Sequence, residues 1–477
     1  MRRFFSEYKT QRKLLLLSMD WTRSKDPAMS LGQASILANL YRHKLSVYPK
    51  AWSVNHPSFD YQDVYKFVMA NVDMTTDLAL GAYVWHEPQT QQLLSDLKKN
   101  NFPGRIIVGG PQVSYTKANI EHFYPQADIF IRGYAEEALA QLLISTEEKP
   151  DILGVHYAGD KDLGISAKVD IESLPSPFLT GIIPPQPFIR WETQRGCPFR
   201  CSFCQHRESD SSMKRRQFSH SRIMGEVDWI LEHDIISDIA VLDPTFNSGP
   251  YYLQILEALI TGKYRGKLAL QCRAEMINSE FLSLIEELNK TAHVVLEIGL
   301  QTVNKEEQRL IQRPNNVIKI AQVFNDIKKR KIDTEVSLIF GLPHQTVESF
   351  QHSIQFCKDL EIPTIYAYPL MLLRGTPLHD NKEKLGLIES TDITINIDRV
   401  QQNIPHVVAS PSFTYDDWYT MSKIAESLDS YNRENAFKIK RAFSPKITNT
   451  LQHTLWQQAY KEDGNRSLYS NDEKPTY

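Results

Sequence analysis

Arg195-Gly196-Cys197-Pro198-Phe199-Arg200-Cys201-Ser202-Phe203-Cys204 holds three of the five cysteines in a chain of 477 residues. The spacing puts three thiolates on one tight loop. A cubane iron–sulfur cluster normally takes four protein thiolates, so this loop supplies one too few and leaves one iron open to a non-protein ligand. An open iron turns an electron carrier into a reagent, because a molecule bound there can receive the electron directly. Structural zinc is the main competitor, but it wants four ligands, usually from two paired knuckles. The only other cysteines are Cys272 and Cys357. His206 lies two residues past Cys204, where reaching the same metal would strain the loop. So few cysteines, in odd number, also fit a disulfide framework poorly.

Around this loop the chain reads as strand–helix repeats. Leu174-Pro175-Ser176-Pro177-Phe178, with Pro184, Pro185 and Pro187, forms a stiff proline-rich connector. From about Phe188 six repeats follow, with strands Ile189–Thr193, Ile239–Leu242, Leu268–Cys272, Val294–Gly299, Glu335–Phe340 and Thr364–Leu370. Helices are expected at Met213–Glu232, Tyr251–Ile260, Ser279–Leu288, Val317–Lys329 and Val347–Leu360. The strands read as continuous apolar runs, which suits a parallel sheet buried on both faces. Polar residues recur where they end, the active face of barrel folds: Asp243 after the second, Arg273 and Glu275 after the third, Glu297 and Gln301 in the fourth, Gly341-Leu342-Pro343-His344 after the fifth, Arg374-Gly375 after the sixth. Asp243, Arg273, Glu297 and Gln301 suit a ribose, an amino-acid carboxylate or a substrate; the alternative is that they brace one another in a polar mouth. Cys272, ending the third strand, is either a hydrogen-atom donor facing the site or a small buried hydrophobe. Cys357 reads as core.

The N-terminal third alternates in the same way: strand Leu14–Met19, helix Met29–His43, strand Leu78–Val84, helix Gln89–Lys99, strand Arg105–Val108 and strand Asp128–Ile131. Glycines stand at the strand ends, in Gly109-Gly110-Pro111 and Arg132-Gly133. This is the pattern of an open, doubly wound parallel sheet, whose ligand crevice lies beyond the strand carboxyl ends. Glycine there lets backbone approach a flat or phosphorylated ligand closely. Past Asp380 the pattern weakens to a helix at Asp416–Leu428, a basic amphipathic stretch at Phe437–Phe443 and a polar tail, Asn465 to Tyr477, of disordered composition.

The cysteine loop, the aromatic Phe203 before its last cysteine, and the five ordered strand-end stretches resemble those of radical S-adenosylmethionine (SAM) enzymes. The resemblance implies a partial (β/α)6 barrel and a 4Fe-4S cluster on Cys197, Cys201 and Cys204. The SAM amino and carboxylate groups would take the fourth iron, and reduction would release a 5′-deoxyadenosyl radical. Phe203, Asp243, Arg273, Glu297, Gln301 and Gly341 become candidate SAM-site residues, with Gly341 letting backbone come near the adenine. The segments Met29–Leu40, Gly81–Trp85, Val108–Ser114 and Ile131–Leu139 look like the cobalamin-binding domain that precedes many such barrels, and Gly109, Gly110 and Gly133 fall where it would hold the corrin. The usual Asp-x-His-x-x-Gly motif, whose histidine ligates cobalt, is absent after the first strand. Cobalamin is then either held without a histidine or not bound at all; His86 reads as a loop residue rather than a ligand.

The expected fold is thus α/β: a Rossmann-like doubly wound sheet of the cobalamin-binding type over 1–150, a linker over 151–187, the barrel over 188–380, and a mainly helical C-terminal region from 381 on. Cobalamin-dependent C-methylation of an unactivated carbon is the expected reaction. The alternatives are a cobalamin-independent oxidation, epimerisation or rearrangement, or a non-catalytic ligand-binding protein. The substrate would be a small molecule or peptide, and flavodoxin or ferredoxin the reductant. A formal net charge of −3 argues against nucleic-acid or membrane partners. The apolar run Leu14–Leu17 is too short for a signal-peptide core, and a reducing cytoplasmic setting suits an oxygen-sensitive cluster.

Overall fold

The computed structural model describes residues 12–23, 25–206, 215–397, 400–401 and 403–442. The basic N-terminus before Arg12, the start of the helix expected from Met213, Phe443 and the polar tail lie outside them. Among the described residues no helix is long and apolar enough to cross a membrane.

The N-terminal part holds β1 (Lys13–Asp20), α1 (Leu31–Arg42), β2 (Val47–Ser53), α2 (Tyr61–Ala70), β3 (Thr76–Gly81), α3 (Glu87–Lys99), β4 (Ile106–Gly109), the short α4 (Pro111–Ser114), β5 (Ile129–Ile131), α5 (Ala135–Ile144) and β6 (Val155–Tyr157). They form one sheet of order β2-β1-β3-β4-β5-β6. All pairs are parallel except β5–β6. Alternation along β1 explains the two layers. Leu14 and Leu16 pack with Leu37 and Leu40 of α1 and Leu139 and Leu142 of α5, whereas Leu15 and Leu17 pack with Val64 and Val68 of α2 and Leu93 and Leu97 of α3. The order reverses between β2-β1 and β3, so the crevice at the switch point opens beyond the ends of β1 and β3.

Three details depart from expectation. The strand β2 and the helix α2 add to the expected elements; Pro49 interrupts the strand pattern of β2, and the structure tolerates it at the sheet edge, where its missing N–H costs nothing. The strand β3 ends at Gly81, and Val84–His86 is a 3-10 turn. The antiparallel β6 comes from the stretch read as linker, which also bridges Gly133 to Ala167.

The second part begins with β7 (Phe188–Trp191) and a two-residue ladder of β8 (Gln194–Arg195) with β9 (Arg216–Gln217). It continues through α6 (His220–Glu232), β10 (Asp238–Val241), α7 (Tyr252–Thr261), β11 (Lys267–Cys272), α8 (Ser279–Leu288), β12 (His293–Gln301), α9 (Lys305–Leu310), α10 (Val317–Lys329), β13 (Asp333–Phe340), α11 (Val347–Asp359) and β14 (Thr364–Pro369). Six strands pair in parallel in the order β7-β10-β11-β12-β13-β14. They are not apolar on both faces. One face, with Ile239, Leu268, Leu296, Val336 and Ile365, packs against helix residues such as Val227, Leu256, Phe281, Phe324 and Phe350. The other carries half-buried Arg190, Gln271, Glu297, Glu335, Ser337, Tyr366 and Tyr368. Then come α12 (Pro377–Asp380), the small antiparallel pair β15 (Ile388–Ser390) and β16 (His406–Ala409), and α13 (Tyr415–Ala442), longer than the helix expected there.

Candidate active site

The cysteine loop leaves β8 at the carboxyl end of the second sheet, and buried polar groups hold its two sides. Asp243, after β10, accepts from the backbone N–H of Thr193 at 2.8 Å and of Gln194 at 3.2 Å, and from the Thr193 hydroxyl. Burial pushes its carboxyl up to about 7 against those donors. Gln194 Nε2 donates to the Thr245 carbonyl at 2.8 Å. On the far side, Ser202 N–H donates to Ile311 O at 2.8 Å and its hydroxyl to Leu310 O at 3.1 Å, while Leu378 N–H donates to Ser202 O at 3.0 Å.

Each sulfur has its own polar neighbour. Cys197 Sγ lies 3.8 Å from the Thr245 hydroxyl, Arg313 Nη1 donates to Cys201 Sγ at 3.5 Å, and His206 N–H donates to Cys204 Sγ at 3.3 Å. Among the described residues no three His, Cys, Asp or Glu side chains converge as ligands of one ion would. Arg313 also donates to the Gly299 carbonyl, has no carboxylate partner among the described residues, and buries Nε without an acceptor. It went unassigned in the sequence; the only cue was a polar Arg313-Pro314-Asn315 turn after the fourth strand.

The remaining candidates separate. Asp243 braces the loop rather than facing a ligand. Arg273 lies 3.9 Å over the Phe199 ring, donates to Pro314 O at 2.8 Å and pairs with Glu275, so it too holds the loop. A groove of about 440 Å³ opens beside it, lined by Phe199, Arg273, Glu275, Met276, Pro314 and Asn315, within the size range of small-molecule sites. Glu297 stands on the half-buried polar face, and Gln301 ends the strand at a bulge with φ 67°. Phe203 is half-buried against the main apolar core. Cys272 corrects the hydrogen-donor expectation: it shares the helix-packed face with Leu268 and Leu270, and burial raises its thiol's pKa well above the ordinary 9.0. Cys357 is core as expected.

The glycines are also filled differently. At Gly341, φ 85°, an added Cβ would meet the Val407 carbonyl at 3.1 Å and the Trp418 indole at 3.5 Å, so the close approach belongs to the C-terminal segment rather than to an adenine. At Gly110 it would meet Ala82 backbone at 2.8 Å, and at Gly133 the Ala167 carbonyl at 2.6 Å; only Gly109 keeps ordinary clearance. The crevice at the switch point is marked instead by Tyr83 and Trp85, stacked with centroids 4.5 Å apart, the indole N–H donating to Met19 O at 3.1 Å. His86 is fully buried, shares Nδ1 with the Thr90 hydroxyl at 2.8 Å, and is pushed down to about 4 by burial.

The two parts meet at this loop. Arg195 Nη1 donates to Glu136 Oε1 at 2.6 Å and Nη2 to Ser35 Oγ at 3.1 Å, both in the N-terminal part, while Nε holds Glu192 at 2.9 Å. Arg374, after β14, forms a fork with Glu87 at 2.9 and 3.1 Å and lies 3.9 Å over Phe123. Its carbonyl accepts from Gln205 Nε2 at 2.9 Å, and the Gln205 carbonyl accepts from the Tyr115 hydroxyl.

Residues 191–357 match the sequence model of the radical SAM superfamily. The chain is 27% identical to the cobalamin-dependent radical SAM methyltransferase TokK of Streptomyces tokunonensis over 370 positions, 69% of this chain and 53% of that one. It is 28% identical to the 2-(S-pantetheinyl)-carbapenam-3-carboxylate methyltransferase of Streptantibioticus cattleyicolor, over 65% of this chain and 49% of that one. The chain thus spans about half the length of the curated relatives it matches. Its mixed α/β fold is that of the methyltransferase TsrM from Kitasatospora setae, solved with tryptophan and a SAM analogue, at TM-score 0.67 and 13% identity, covering 87% of this chain and 89% of that one. It is likewise similar to OxsB, solved with aqua-cobalamin and SAM, at TM-score 0.64 and 14% identity, covering 95% and 71%.

Proposed function

We propose that this chain is a cobalamin-dependent radical SAM methyltransferase that methylates an unactivated carbon of a small molecule or peptide. The observation that carries the reading is the thiol loop: three cysteines, each with its own polar neighbour, beside an arginine that has no carboxylate partner among the described residues. A half-buried guanidinium of this kind calls for an anion, and a cluster held by three thiolates is one. Bound on Cys197, Cys201 and Cys204, a 4Fe-4S cluster would supply the electron that cleaves SAM, and a corrin in the N-terminal crevice the methyl group. The chain's own contribution is to fix the loop through Asp243, Arg273 and Ser202, and to offer Glu297 and Gln301 to polar parts of SAM or substrate. The stacked Tyr83 and Trp85 suit a flat ligand; His86 is fully buried, with Nδ1 on the Thr90 hydroxyl and Nε2 without a partner among the described residues.

In this reading the first sheet, residues 1–150 extended by β6, is the Rossmann-like cobalamin-binding domain. The stretch 151–187 is mostly connector, 188–380 the partial (β/α)6 barrel, and the remainder from 381 a cover over it. The electron would come from a flavodoxin or ferredoxin in a reducing cytoplasm. One observation favours a second reading, a cobalamin-free oxidation, epimerisation or rearrangement: Gly110 and Gly133 are packed by the chain's own backbone.

Anaerobic reconstitution tests the proposal. About four irons per chain are expected for a cubane, with SAM cleaved under dithionite and hydroxocobalamin retained through gel filtration. Zinc without iron, or SAM cleavage that persists in Cys201→Ala, overturns the cluster assignment. Failure to retain hydroxocobalamin selects the second reading.

A further inference from the structure

The two carboxylates that cross to the second part share a placement. Glu87 opens α3 after β3, and Glu136 opens α5 after β5, so both stand at the carboxyl edge of the N-terminal sheet, where its crevice lies. Their partners reach opposite ends of the cysteine loop. Arg195 is two residues before Cys197, and Arg374 is tied through its carbonyl to Gln205, the residue after Cys204. Both contacts are enclosed: the side chains of Arg195 and Glu136 are 11% and 6% exposed, those of Arg374 and Glu87 18% and 15%. Glu87 is fixed further by the Tyr124 hydroxyl and Gln112 Nε2, each at 2.6 Å, and Glu136 by the Ser35 hydroxyl at 3.2 Å. The Arg374–Glu87 pair is forked, and Arg195 spreads its nitrogens over Glu136, Ser35 and Glu192; enclosed pairs held in this way are geometrically specific in a way that exposed ones are not.

We infer that Arg195 and Arg374 are positioning residues that lock the N-terminal domain to both ends of the cysteine loop, so that occupancy of either site is felt at the other. The inference rests on the proposed cofactor reading and adds a function to it: the loop that carries the cluster also sets where the corrin domain sits. Binding energies coupled in this way are reciprocal.

The test measures hydroxocobalamin dissociation constants on full-length chain with and without a reconstituted cluster. In the wild type the two should differ by about fivefold or more, and in the Glu87→Gln/Glu136→Gln double variant the ratio should fall to about one. A merely structural role would weaken both affinities and leave the ratio alone. Arg195→Lys and Arg374→Lys keep the charge but lose the planar multi-donor geometry, and should give intermediate ratios. Glu137→Gln, whose partners Asn39, Arg42 and His43 lie within the N-terminal part, should keep the wild-type ratio. A wild-type ratio of one, or a ratio retained in the double variant, overturns the inference. If hydroxocobalamin does not bind at all, the corrin reading fails separately. Amide exchange then decides the clamp: cluster loading should slow exchange over 87–94 and 135–142 about tenfold in the wild type and not in the double variant, and equal behaviour overturns it. If no iron is taken up, the cluster reading fails, and the clamp is kept only if residues 195–206 exchange faster in the double variant than in the wild type.

Discussion

At the scale of residues, the most consequential side chain is Arg313. Hydrogen bonds to cluster sulfurs and nearby positive charge favour the reduced state of an iron–sulfur centre, and Arg313, which donates to Cys201 Sγ, would offer both to the proposed cluster. Arg313→Gln should therefore lower the cluster's reduction potential. A tenfold loss in the reduction equilibrium, about 59 mV for one electron, is the expected size, read by a redox titration followed by electron paramagnetic resonance without SAM. Asp243→Ala makes a different prediction. It strands the Thr193 and Gln194 donors, each buried unsatisfied group costing about 1–3 kcal/mol, and should reduce iron retention while far-UV circular dichroism stays native. Cys272→Ala should leave SAM cleavage unchanged, since that thiol faces the helices. The three-cysteine loop was legible because the relation among Cys197, Cys201 and Cys204 is local. The roles of Asp243 and Arg313 were not, because each is defined by a partner far along the chain, 50 residues away for Thr193 and 112 for Cys201.

At the scale of elements, strand phase separates what could be read from what could not. The six strands of the second sheet are legible to within about two residues at each end, since each carries a buried apolar residue at every second position. Which face each side chain takes depends on the sheet around it, and there Cys272 parted from Glu297. Pro49 argues against a strand at β2 unless the edge position is known. Gly341 shows how tightly an element end can be constrained. With φ 85° and Val407 and Trp418 against it, Gly341→Ala combines backbone strain with a clash. A loss of about 1–3 kcal/mol is expected, visible as a lower thermal midpoint with the C-terminal segment loosened in limited proteolysis.

At the scale of the molecule, the docking of the two parts was beyond the sequence, because Arg195–Glu136 and Arg374–Glu87 join residues 59 and 287 positions apart. Burial also links distant regions through pH. His86 in the N-terminal part and His406 on β16 are both pushed down by burial from the ordinary 6.5 to about 4. For each, the unfolded chain takes up a proton more readily than the folded one, so stability falls as pH drops from about 6.5 towards about 4 and changes no further below that. At about pH 5.5 each histidine costs about 1.4 kcal/mol relative to neutral pH. Glu136 works in a lower window: burial opposes its charge, but Arg195 and the hydrogen bonds outweigh that and hold it below the ordinary 4.5, so its contribution is lost only as pH falls through that lower value. Chemical unfolding followed at pH 7.5 and 5.5 should therefore show both parts weakened in mild acid before the Arg195–Glu136 pair is titrated. His86→Gln should flatten the pH dependence of the N-terminal part alone, and His406→Gln that of the C-terminal segment alone. Unchanged slopes in both variants would show that other groups govern acid sensitivity.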